Sequence, residues 1–141
     1  MGNFGFWQKW LFGVGIYVAI FGFVMALFSG SFVFEPLHNR VNLVFFAEGE
    51  MPENFLKFQT FFYGVLGATM GGWGIFIAYV AKYPFNKREK WAWNCMAVGT
   101  VAWYSFDTGI SYYCGVTANV ILNTVFLFFL GAPLLFTRKE F

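Results

Sequence analysis

A chain of 141 residues that is 59% apolar, 25% aromatic and only 11% charged is unlike a soluble domain, which carries about 25% charged residues. So small a chain cannot enclose that much apolar surface in one water-bounded core, and disorder needs the opposite composition. A net charge of +2, without a basic patch interleaved with aromatics, argues against nucleic acid as a partner. The composition is that of an integral membrane protein.

The first charge-free run is Trp10 to Phe34, and it predicts a helix over 8–30. It is longer than the apolar core of a signal peptide and is preceded only by Lys9, so it is expected to be retained. Gly15, Ala19, Gly22 and Ala26 recur at three and four residues, which predicts a packing stripe.

A loop over 31–52 follows, with Glu35, Glu48 and Glu50. It holds the single histidine, His38, and Arg40, both candidates for a role at the bundle mouth. A lone histidine cannot build the multi-ligand site that zinc requires, and no metal site is expected elsewhere. Val41 to Phe46 is too apolar to be freely solvated. It is expected to lie on the membrane surface or over the bundle mouth.

Met51-Pro52-Glu53 opens the second predicted helix, 53–82, with Glu53 and Lys57 in the favourable i,i+4 order. This helix carries Gly64, Gly67, Ala68, Gly71 and Gly72. Small residues four apart let helix backbones approach closely in lipid. Pro84 ends the helix, and Asn86-Lys87-Arg88-Glu89 reads as the cap of a third helix over 87–113. Gly115 suits a helix C′ position, and Thr117 an N-cap, so a fourth helix is predicted over 117–136. The runs are too long and too uniformly apolar for barrel strands.

The expected architecture is therefore all-α: one domain over 1–141, an antiparallel bundle of four transmembrane helices. Lys9, Lys82, Lys87, Arg88, Lys90, Arg138 and Lys139 fall on one side, against Arg40 and Lys57 on the other. That asymmetry places both termini in the cytoplasm and the first loop outside the inner membrane. Trp7, Trp10, Trp91 and Trp93 form the inner aromatic belt, and Tyr112 and Tyr113 the outer one.

Asp107 is the one ionisable acid or base inside a span, and an intramembrane carboxylate is a site hypothesis by default. Ser111 shares its face, and Asn123, Thr124, Gln59 and Thr60 are expected at similar depth. No phosphate loop, catalytic triad, paired carboxylates or HExxH is present, so no enzymatic activity is expected. Cys95 and Cys114 lack CxxC spacing and lie about 28 Å apart along one helix, which forbids a disulfide between them.

Two functions compete at this level. One is an accessory subunit, or a membrane component that binds a lipid or other hydrophobic ligand. Lipid, quinone and pigment all stay open as ligands, with membrane lipids, a homo-oligomer or a larger membrane complex as partners. The other is a small proton- or solute-linked transporter or channel, a dimer, built on Asp107.

Overall fold

The computed structural model describes residues 3–46 and 52–141. Glu48, Glu50 and Met51 of the first loop lie outside the described residues. So does the side chain of Glu53, and with it the expected Glu53–Lys57 pairing. The described residues are helical, with no strand: α1 Phe4–Phe28, α2 Glu35–Phe45, α3 Glu53–Val80, α4 Lys90–Tyr113 and α5 Thr117–Thr137. A π turn, Ala81–Phe85, continues α3, and a short 3-10 turn, Arg138–Glu140, follows α5.

Three helical segments are long and apolar enough to cross a membrane: Phe4–Phe28, Asn54–Phe85 and Thr117–Glu140. The charge-free runs of the sequence predict four spans. α4, at 24 residues, has the length but not the apolarity, because it carries Lys90, Asn94, Thr100, Ser105, Asp107, Thr108 and Ser111. Leu27, Phe61, Phe76, Phe106, Phe128 and Leu135 stand among many large apolar side chains on the outer surface. An exposed apolar area of this extent fits a hydrocarbon solvent.

α1 and α3 are antiparallel and interlocked. A Cβ on Gly15 would stand 2.5 Å from the Ala78 backbone, and one on Gly22 2.3 Å from that of Gly71. From the other side, Gly67 meets Ala26 and Gly74 meets Ala19 at 2.5 and 2.3 Å. The facing residues are thus 15, 19, 22, 26 and 78, 74, 71, 67, each series spaced four, three, four. That spacing averages about 3.7 residues per turn, close to the 3.6 of a straight α-helix, so one seam runs along each helix. Gly64 stands near the Ala26 carbonyl at the end of the seam. Ala68 and Gly72 lie off it: Ala68 is exposed, and a Cβ on Gly72 would meet nothing within 4 Å. Each is one residue past a seam position, hence rotated about 100° away.

α5 packs on α1, α4 packs on α5, and the π turn closes the ring against α1 and α4. The buried core gathers where the termini meet the α3–α4 turn: Phe4, Leu11, Val14 and Val18 with Ile77, Phe85, Met96, Leu130 and Leu134. Phe4 stacks on Phe85, and Phe141 tilts against both. Arg88 lies over the Phe4 ring at 4.8 Å and pairs with Glu140 at 3.3 Å.

A proline inside α5 removes a donor, and a side chain from α1 replaces it. Pro133 cannot donate to the Phe129 carbonyl; Trp10 Nε1 does so instead, at 3.1 Å. Pro84 does not end α3 at Lys82, as the sequence reading expects. The chain passes through the π turn, and the buried Gln8 donates to the Ala81 carbonyl at 2.9 Å. α4 then starts at Lys90, not at 87. Arg88 takes φ +58°, and the Glu89 N–H turns back to the Pro84 carbonyl, so 86–89 form a turn. At the far end of α4 Gly115 adopts φ +74°. The Val116 N–H reaches the Ser111 carbonyl and the Gly115 N–H that of Tyr112. This is a Schellman stop. Val116, not Thr117, is the N-cap of α5.

The predicted loop over 31–52 contains α2. Its start follows the usual chemistry, with Glu35 at the positive end and Pro36 in the first turn. The residues it turns inward, His38 and Asn42, are polar, and they continue the line of the buried Phe34. A search for apolar periodicity does not see such a helix.

Candidate functional site

Asp107 lies six residues before the end of α4, about 9 Å from it. Its Oδ1 accepts from Asn123 Nδ2 and from Asn119 Nδ2, each at 2.8 Å. Asn119 also donates to Ser111 Oγ at 2.7 Å, and Asn123 to Thr108 Oγ1 at 3.3 Å. An amide has two N–H donors, so both asparagines spend all of theirs on this cluster. Ser111 Oγ stands 2.7 Å from the Asp107 carbonyl and 3.3 Å from Oδ1. The arrangement is a polar tie between α4 and α5. Where water is absent, each such partner is needed to offset the cost of desolvating the carboxylate.

Of the predicted set, Asp107, Ser111 and Asn123 are brought together. Asn119, not singled out from the sequence, is a full member. Its signal was available: Asn119 and Asn123 are four apart and share one helix face. Thr124 stands beside the tie, bonding the Val120 carbonyl at 2.7 Å and facing Tyr104 Oη at 3.4 Å.

Gln59 and Thr60 are elsewhere. Gln59 is buried and pairs with Asn42 of α2, donating from Nε2 to Oδ1 at 2.6 Å. Thr60 is exposed, and its carbonyl accepts from Ser29 Oγ at 3.0 Å. One turn away on the α2–α3 contact, His38 stacks on Tyr63 at 4.5 Å. His38 is nine-tenths buried, and its Nε2 is the buried side-chain polar atom left without a partner among the described residues. Burial pushes the His38 imidazole below its usual value of 6.5, with Glu35 opposing the shift. Arg40 is exposed on α2, and no ion pair joins it to Asp107 among the described residues. Val44 of α2 lies near Gly115 in the α4–α5 turn.

A third feature was not visible in the sequence. An apolar groove of about 470 Å³ runs between α1 and α5. Trp10, Gly13, Val14 and Tyr17 form one wall, and Leu122, Val125, Phe126 and Phe129 the other. A Cβ on Gly13 would meet nothing within 4 Å, so this glycine leaves space that no neighbour fills. The Trp10 indole N–H is already committed to Phe129, which leaves the Tyr17 hydroxyl as the polar group on the walls. A shallower depression between the end of α1 and the start of α3 includes Ser29, whose hydroxyl is committed to Thr60.

Among the described residues no three His, Cys, Asp or Glu side chains gather as a metal site. Cys95 and Cys114 are free thiols. No protein-family model matches the chain, and neither a curated protein nor a solved structure does.

Proposed function

We propose that the protein is a non-enzymatic component of the cytoplasmic membrane that spans it four times and holds an apolar ligand between α1 and α5. The groove carries this reading. It is of ligand size, apolar on both walls, and opened by Gly13. Pockets for small hydrophobic molecules have this character.

The fourth span is α4, whose contacts with α5 extend along both helices. Trp93 Nε1 donates to the Leu134 carbonyl at 2.9 Å near one end, and Asn119 holds Asp107 toward the other. A helix paired over that length with a membrane span crosses with it. Its polar residues are supplied with partners by α5, which makes Asp107 a structural tie. Both termini and the α3–α4 turn face the cytoplasm, because the basic residues at that end outnumber Arg40 and Lys57 opposite.

The test is native mass spectrometry of protein extracted from its own membrane in mild detergent. The wild type should keep a small apolar ligand that Gly13→Phe releases without loss of helix content. Equal retention by both proteins, or no ligand on either, would overturn the reading.

A further inference from the structure

Resting on the groove as a ligand site, we infer that its occupant is one acyl chain of an anionic phospholipid of the cytoplasmic leaflet. The phosphate of that lipid is held by Lys9, Arg138 and Lys139.

The walls exclude most other ligands. They offer the Tyr17 hydroxyl and otherwise carbon, so a molecule with polar groups along its length would leave them unpaired. The groove runs from Trp10 to Tyr17 on α1 and from Phe129 to Leu122 on α5, about 10 Å on each helix. That length takes a stretch of chain, with the polar end outside. Trp10 lies six residues, about 9 Å, from the start of α1, which puts the groove within the leaflet on the side of the termini.

The charges toward that end of the two helices agree, with Arg138 and Lys139 about 14 Å along the chain axis beyond Phe129. Lys9 directly precedes Trp10, and Arg138 and Lys139 directly follow α5. All three are exposed, and none of them makes an ion pair among the described residues, whereas Arg88 at the same end is paired with Glu140. The orientation rule accounts for cations at this face. It does not account for an open apolar groove leading away from them. Together they match a phosphodiester and its chain.

The experiment offers delipidated full-length protein an equimolar mixture of phosphatidylglycerol and phosphatidylcholine with identical chains, read by native mass spectrometry. The wild type should retain phosphatidylglycerol over phosphatidylcholine by about tenfold, the ratio that a 1.4 kcal/mol difference gives. Replacing Lys9, Arg138 and Lys139 with glutamine should bring the ratio close to one. Gly13→Phe, and separately Val125→Phe, should abolish retention of both lipids. A wild-type ratio near one overturns the headgroup assignment and leaves the groove as a ligand site. Undiminished retention in both groove-filling variants, or a bound protein in place of lipid, overturns the groove reading itself.

Discussion

The two helix pairs of this molecule are held together by opposite means. α1 and α3 meet backbone to backbone, through glycines and alanines that leave no room for a Cβ. α4 and α5 meet through side chains, with a carboxylate, two amides and a hydroxyl spanning the gap. In lipid there is little hydrophobic force to press helices together, so close contact and interhelical hydrogen bonds are what remain. The first device tolerates no added volume. The second tolerates volume but not the loss of a partner.

This contrast makes sharp predictions. The largest effect belongs to the seam. Gly22→Ala puts a Cβ 2.3 Å from the Gly71 backbone, and neither backbone can yield without parting the helices. It should cost about 3 kcal/mol or more, at the upper end of overpacking effects, measured by unfolding in detergent. Gly72→Ala, in α3 beside Gly71 but facing open space, should change stability by less than about 1 kcal/mol. Similar costs for the two would break the comparison.

Asp107→Leu comes next. It removes the acceptor of two amides and leaves Asn119 and Asn123 with unpaired donors. A loss of about 2 kcal/mol is expected. The additional change Asn123→Leu should cost less on this background than alone, because the pair shares one interaction. Strict additivity in that double-mutant cycle would show that the tie does not couple the helices.

The smallest effect concerns α2, which is docked by polar contacts. The docked helix holds a neutral His38, whose proton affinity burial has lowered. The undocked state, with an ordinary imidazole, binds more protons, so docking is favoured above about pH 6.5 and weakens as the pH falls through that value. Hydrogen exchange in α2, corrected for its intrinsic pH dependence, should quicken between pH 7.5 and 5. His38→Phe should remove that pH dependence. An α2 equally protected at both pH values in the wild type would contradict the account.

Much of this was legible in the sequence, for identifiable reasons. Gly15, Ala19, Gly22 and Ala26 announce a seam, because small residues at three and four have few other uses along an apolar helix. The partner stripe was harder to fix. Gly64 to Gly74 is so rich in small residues that several faces qualify, and only the neighbour's register selects 67, 71, 74 and 78. Asp107 stood out as a charge among apolar residues. Its separation from Gln59 and Thr60 did not, since equal depth in a bilayer does not fix which helices are neighbours. α2 was hidden because its inward stripe is His38 and Asn42. The groove was hidden because it belongs to two helices 105 residues and more apart in the chain, from Tyr17 to Leu122.

The claim that this space holds a lipid chain is tested most directly from inside it. A benzophenone side chain at Leu122, on the groove wall, can be activated in the native membrane and compared with one at Phe128, which is 71% exposed on the outer surface of α5. The account predicts a lipid adduct at 122 in clear excess over 128, lost when Gly13→Phe fills the groove. Equal lipid adducts at the two positions, or an adduct at 122 to another protein, would contradict it.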